Sequence, residues 1–95
     1  MDARTERIAE NLEVLESRWN GLILLGLMDG ELRFRALLGR VEGITDAMLV
    51  KRLRELEAEE LVTKERREAE VWYALTKKAT GAGPVLDALA KWRRR

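Results

Sequence analysis

Neither cysteine nor histidine occurs among the 95 residues. Disulfides, thiolate nucleophiles and Cys-based redox sensing are therefore unavailable to this chain. Ordinary zinc sites and Ser-His or Cys-His catalysis are excluded with them. The remaining Asp, Glu, Lys and Thr follow helix faces and form no catalytic motif, so the chain is expected to be no enzyme and to hold no metal or cofactor. No apolar stretch approaches the roughly 20 residues needed to span a bilayer. The longest, Leu22–Met28, is short and contains Gly26. The N-terminus mixes acids and bases without an apolar signal core, so no membrane partner and a cytoplasmic location are expected.

What is present is a normal apolar share, 46%, in a length that supports one domain, 1–95, with a modest core. The formal net charge of +1 conceals strong segregation. Met1–Glu16 carries five acids against two arginines; Arg33–Arg54 carries six basic residues against two acids. Glu55–Glu60 adds four glutamates, and Lys77–Arg95 has six basic residues against one acid. Binding to nucleic acid depends on local positive surface, so near-neutrality overall does not oppose it.

The organising stretch runs from Leu32 to Glu60. Leu37, Leu38 and Val41 give a first short helix its apolar side. Glu42-Gly43-Ile44 breaks it, with Gly43 able to take the positive φ of a sharp corner. Thr45 stands where an N-cap belongs, and Asp46 puts negative charge in the next first turn. Leu49, Leu53 and Leu56 then share one face, leaving Ala47, Lys51, Arg54 and Ala58 opposite. Two helices joined by such a turn predict a helix-turn-helix, whose second helix enters the DNA major groove. Arg52 falls nearer the buried side, where pairing with a Glu would make it structural.

Ahead of this motif, Ile8, Leu12, Leu15 and Trp19 form one apolar stripe on a helix predicted from about Thr5 to Trp19. Trp19–Met28 is apolar on nearly every side and predicts a helix buried on nearly every side, with Gly21 and Gly26 as close-packing points. Asp29-Gly30 ends it. Leu32-Arg33-Phe34 has room for a very short strand. After Glu60, Leu61-Val62-Thr63 has β character. Val71, Tyr73 and Leu75 alternate with Trp72, Ala74 and Thr76, the period of a half-buried strand. The two runs around a charged tip predict a β-hairpin, with no Asn-Gly or Asp-Gly to fix its turn type. A hairpin directly after a recognition helix is a wing. Thr76 is placed to cap the next segment, Gly81 and Gly83 weaken a helix start, and Pro84 suits the first turn of a last amphipathic helix. That helix carries Val85, Leu86, Leu89 and Trp92 on one side and ends in Arg93-Arg94-Arg95. The fold class is thus mainly α with a small β-hairpin.

This order of parts resembles the HxlR-type winged helix-turn-helix regulators. Trp19 followed by Ile23-Leu24-Leu25 and Gly30 resembles the family's first core helix, and Leu32-Arg33-Phe34 with Leu37 its Leu-Arg-Phe-x-x-Leu motif. Gly43-Ile44-Thr45, Met48-Leu49 and Leu53-Arg54-Glu55-Leu56 resemble its recognition helix. Leu61-Val62 and Tyr73-Ala74-Leu75-Thr76 resemble its wing, and Pro84-Val85-Leu86, Leu89 and Trp92 its closing helix. The resemblance covers about residues 12–92. It implies a homodimeric, DNA-binding transcriptional regulator that pairs through its terminal helices, here 1–18 and 77–95. The dimer residues would be Ile8, Leu12, Leu15, Leu86, Leu89 and Trp92. The sequence departs from the family in lacking its sensing Cys. Glu16-Ser17-Arg18 replaces a usual Gly-Gly-Lys, and Ala79 a Gly. Ala47, Val50 and Glu70 stand where Lys, Thr and Arg are frequent.

On this reading the partner is double-stranded DNA. Lys51 and Arg54 would read base edges or phosphate, and Thr45 and Asp46 would lie near the groove. Val50 or Ala47 would meet a thymine methyl. Arg35, Lys64, Arg66 and Arg67 would reach phosphate or the minor groove. The alternative is a winged-helix protein–protein module with weak or lost DNA binding, motivated by the missing cations and the Glu55–Glu60 run. A third reading is an effector-controlled repressor with an apolar pocket among Trp19, Trp72 and Trp92. The sequence does not identify an effector.

Overall fold

The computed structural model describes residues 1–93. Its first helix, α1, spans Ala3–Leu15. Asp2 caps it, accepting a 2.7 Å bond from the Thr5 N–H, and that bond holds the Asp2 carboxyl below its ordinary range. The helix expected to continue to Trp19 stops short: Ser17 is extended, with φ −86° and ψ 122°, and a second helix, α2, covers Arg18–Gly26. Asn20 helps fix the break. It is buried, and its side-chain amide donates to the Val14 carbonyl at 3.0 Å, satisfying a helix-end acceptor. Trp19 therefore belongs to α2 and packs on the core beside Gly43 rather than extending the α1 stripe.

Ile23 and Leu24 of α2 and its C-cap Leu27 are fully buried, but Leu25 is 49% exposed, so this helix is covered on most sides and not all round. Gly26 is a true close approach: a Cβ there would lie 3.2 Å from Leu37 Cδ1. At Gly21 the nearest contact would be an ordinary 3.6 Å. A two-residue strand, β1 (Leu32–Arg33), leads into α3 (Phe34–Arg40). Gly43, at φ +89°, makes the corner. Helix α4 spans Asp46–Ala58, with Thr45 accepting a 3.2 Å bond from the Met48 N–H as its N-cap.

At the other end of α4 the chain closes a Schellman turn. The Leu61 N–H donates to the Leu56 carbonyl and the Glu60 N–H to Glu57, both at 2.9 Å. Glu60 takes the left-handed position at φ 60°, where glycine is usual. The wing follows as β2 (Val62–Arg67) and β3 (Glu70–Leu75). Its two-residue turn puts Glu68 at φ 56°. The expected hairpin gains β1 as a third strand, in the order β1-β3-β2, all antiparallel. Thr76 locks the sheet to the α4 end, donating to the Glu60 carbonyl at 2.8 Å, and its hydroxyl accepts from the Ala79 N–H. A 3₁₀ turn, Lys78–Gly81, replaces the weak helix start, and α5 spans Ala82–Trp92.

One core joins these elements. Leu49, Leu53 and Leu56 of α4 meet Ile23 and Leu24 of α2 with its C-cap Leu27, Leu37 of α3, and Val62 and Tyr73 of the sheet. Each such side chain contributes roughly 1.5–3 kcal/mol by leaving water. That burial fixes which side of α4 faces out.

Candidate nucleic-acid interface

With the three leucines of α4 turned inward, the outward stripe is Ala47, Val50, Lys51 and Arg54, spaced i, i+3, i+4 and i+7. All four are exposed. Among the described residues, neither Lys51 nor Arg54 has a carboxylate within salt-bridge distance. Asp46 at the start of α4 is met by Arg35 of α3 at 3.4 Å, a loose and solvent-exposed pair. Thr45 is exposed, and its hydroxyl oxygen is used by the cap. Arg52 behaves as a structural residue: it pairs with Glu55 at 3.0 Å, and its Nε is buried without a hydrogen-bond partner.

The wing cations separate by strand parity. Cross-strand partners are Lys64 with Tyr73 and Arg66 with Val71, so these two cations share the sheet face of Val62 and Tyr73, which packs toward α4. The Tyr73 hydroxyl is pushed above its ordinary range, first by burial and then by Glu57, with Arg54 opposing. Lys64 and Arg66 are exposed, and no ion pair involves them among the described residues.

Arg67, expected as a free wing cation, points to the other face. Its guanidinium donates to both oxygens of Glu31 at 2.7 Å and to Glu65 at 3.1 Å, and it lies 5.4 Å over the Trp72 ring. The three hydrogen bonds hold Arg67 far above, and Glu31 and Glu65 below, their ordinary pKa ranges. Arg33 of β1 is paired as well, at 2.6 Å from Glu70. The outer face of the sheet is thus a neutralised network around one tryptophan. Sequence patterning carries no sign of it, because Glu31 lies 36 residues before Arg67.

The six expected dimer residues divide in two. Ile8, Leu12, Leu89 and Trp92 are exposed, Leu12 at 61% and Trp92 at 75%, whereas Leu15 and Leu86 are partly buried against the chain's own core. No residue of helix α1 is fully buried, and only Val14 and Leu15 at its end pack on the core. The three tryptophans do not assemble a pocket. Trp19 sits beside Gly43 with Arg18 over it, Trp72 lies under Arg67, and Trp92 stands near the end of α5. A cleft of about 360 Å³ does lie between α1, the 3₁₀ turn and α5, lined by Val14, Leu15, Leu61 and Lys78 among others. Of the terminal arginines, Arg94 and Arg95 lie outside the described residues.

A helical core with a turn-linked helix pair and a three-stranded wing defines a winged helix-turn-helix protein. Solved structures agree. The reduced form of the transcriptional regulator YodB from Bacillus subtilis matches with a TM-score of 0.81 at 35% identity, over 97% of this chain and 90% of that one. The redox regulator HypR in its reduced form matches with a TM-score of 0.81 at 29% identity, over 90% and 88% of the two chains. The HxlR-like helix-turn-helix family matches residues 14–95, and the chain belongs to that family. In sequence it is 41% identical over 78 residues to an HTH-type transcriptional regulator of Methanothermobacter thermautotrophicus, covering 79% of this chain and 60% of that protein's length. YodB is 38% identical over 82 residues, 83% of this chain and 73% of its own. These relatives are transcriptional regulators and not enzymes.

Proposed function

We propose that the chain is a cytoplasmic homodimer that binds duplex DNA in a sequence-specific way and so regulates transcription. The observation that carries this reading is the outward face of α4: its leucines are spent on the core, and Lys51 and Arg54 stand free in solvent. In this reading α4 lies in the major groove, with Lys51 and Arg54 on base edges or phosphate. The Thr45 hydroxyl hydrogen and the first N–H groups of α4 donate to phosphate. Arg35, Lys64 and Arg66 take backbone phosphates on either side. Arg67 leaves the contact set, since two carboxylates already hold it.

The dimer is supported by α1, a 13-residue amphipathic helix that leaves Ile8 and Leu12 exposed, and by the exposed Leu89 and Trp92 of α5. Covering those side chains with a second copy about a two-fold axis would present two α4 helices to half-sites about one helical turn, roughly 34–36 Å, apart. Several structures of YodB are of reduced, diamide-treated and quinone-bound forms. This chain has no cysteine, so any response it makes to an oxidant or a quinone would not run through a thiol.

Selection of bound sequences from random duplexes by the purified protein, at stated salt, tests the proposal. Enrichment of a two-fold-symmetric site supports it. Absence of any enriched sequence at low salt would leave the fold without this role and favour a protein–protein module.

A further inference from the structure

The residues at the leading end of the α4 stripe have an unusual chemistry for base reading. In a helix-turn-helix the N-terminal part of the recognition helix approaches the base edges. Here that part presents Ala47 and Val50, both exposed and neither able to donate or accept a hydrogen bond. The polar groups beside them sit at the very start of the helix and face the backbone rather than the base edges in this reading: Asp46 lies 3.4 Å from the phosphate-directed Arg35, and the Thr45 hydroxyl oxygen accepts from the Met48 N–H. The first cation, Lys51, comes only after Val50. A methyl-bearing surface cannot choose among the donors and acceptors of the major groove. It can choose for the one apolar group displayed there, the C5-methyl of a pyrimidine.

We infer that Val50, with Ala47, makes a pyrimidine C5-methyl the specificity determinant of each half-site, so that thymine is required there and 5-methylcytosine is preferred to cytosine at the same position. This inference rests on the DNA-binding reading above and names what α4 selects. Lys51 and Arg54, one turn further along, supply attraction and the purine or phosphate contacts. They do not supply the discrimination between a methylated and an unmethylated edge.

The test starts from a duplex selected by the wild-type protein. Each thymine is replaced singly by deoxyuridine, which removes the methyl and keeps every hydrogen-bonding group. At one thymine per half-site the affinity should fall about threefold to tenfold, the worth of roughly one to two buried methyl equivalents. At that position a C·G pair should bind better when its cytosine carries the 5-methyl group. The double variant Ala47→Ser, Val50→Ser should bind the thymine and uracil duplexes equally. Both sites are exposed helix positions, so the fold is expected to persist, and circular dichroism checks it. Uracil tolerated at every thymine of a retarded duplex overturns the inference while leaving DNA binding intact. A uracil penalty that survives in the double variant overturns the assignment to α4's apolar edge. If no duplex is enriched at all, the inference falls together with the reading on which it rests.

Discussion

Two regions of this molecule carry positive charge on solvent-facing surface, and they use it in opposite ways. On α4, Lys51 and Arg54 project without a salt-bridge partner among the described residues, one turn past an apolar edge. On the outer face of the sheet, Arg33 and Arg67 are each tied to carboxylates, at 2.6 and 2.7 Å, around Trp72. Counting basic residues along the chain would treat the two regions alike. Their partners separate them: Arg67 is bidentate to Glu31 and Arg33 is paired with Glu70, and an arginine so held must break a charge-assisted pair to take a phosphate in the same way. The free pair is suited to meeting a polyanion, and the bound pair to holding the wing against β1.

The contrast is tested most severely on α4. Reversing charge in Lys51→Glu, Arg54→Glu should lower affinity for a selected duplex by at least about 100-fold, through lost contacts and added repulsion. The helical signal and the oligomeric state should not change, because neither side chain is part of the core. Unchanged retardation would remove α4 from the DNA surface.

A smaller effect is expected in the wing, where parity can be turned into an experiment. Lys64→Ala and Arg66→Ala should each weaken binding about threefold to tenfold and reduce the salt slope by about one phosphate contact. Arg67→Ala, one residue further on, should leave affinity within about twofold and the slope unchanged. If Arg67→Ala behaves like its two neighbours, the distinction between free and bound cations fails, and the clamp opens when DNA arrives.

The clamp should also show itself against pH in the free protein. Glu31 and Glu65 titrate below their ordinary value of 4.5 when folded, first because Arg67 hydrogen-bonds them. A depressed carboxylate stabilises the fold above that ordinary value, and the contribution disappears as pH falls through the lower, folded value. Melting temperature followed from about pH 5 downward should therefore drop less in Arg67→Ala than in the wild type. Both carboxylates are solvent-accessible, so the difference will be modest and will shrink in high salt. Parallel curves for the two proteins would mean that the clamp does not bear on folding.

The α4 side of this comparison is legible in the residue order alone, and the sheet side is not. Leucine spacing orients α4, Thr45 declares its cap, and Gly43 its corner, because each depends on neighbours within a turn or so of helix. Strand alternation places β3 for the same reason. The α1–α2 break escapes because Ile8, Leu12, Leu15 and Trp19 keep one periodicity straight across it, and periodicity reports a face, not continuity. The Asn20 amide that secures that break bonds a carbonyl six residues earlier, outside any helical pattern. The Glu31–Arg67 clamp needs β1 beside β3, a pairing of residues about forty apart that two residues of strand cannot announce. The exposure of Leu25 escapes as well, because an all-apolar helix says nothing of which side lacks a neighbour.

Each region also holds one residue in a backbone conformation that its side chain disfavours, and these give the smallest and most symmetrical test. Glu60 closes the C-terminal turn of α4 at φ 60°, and Glu68 forms the wing tip at φ 56°. An L-residue there crowds its Cβ against backbone oxygen, at a cost that glycine avoids, although glycine loses more entropy on folding. The balance favours Glu60→Gly and Glu68→Gly by about 0.5–1 kcal/mol each, read as higher midpoints in urea unfolding. The two sites belong to different turns, so the gains should add in the double variant. Neither substitution touches Lys51, Arg54, Lys64 or Arg66, so the salt slope of DNA binding should stay at its wild-type value. A changed slope in Glu68→Gly alone would show that the strained wing tip, not the clamp beneath it, sets where Lys64 and Arg66 meet the duplex.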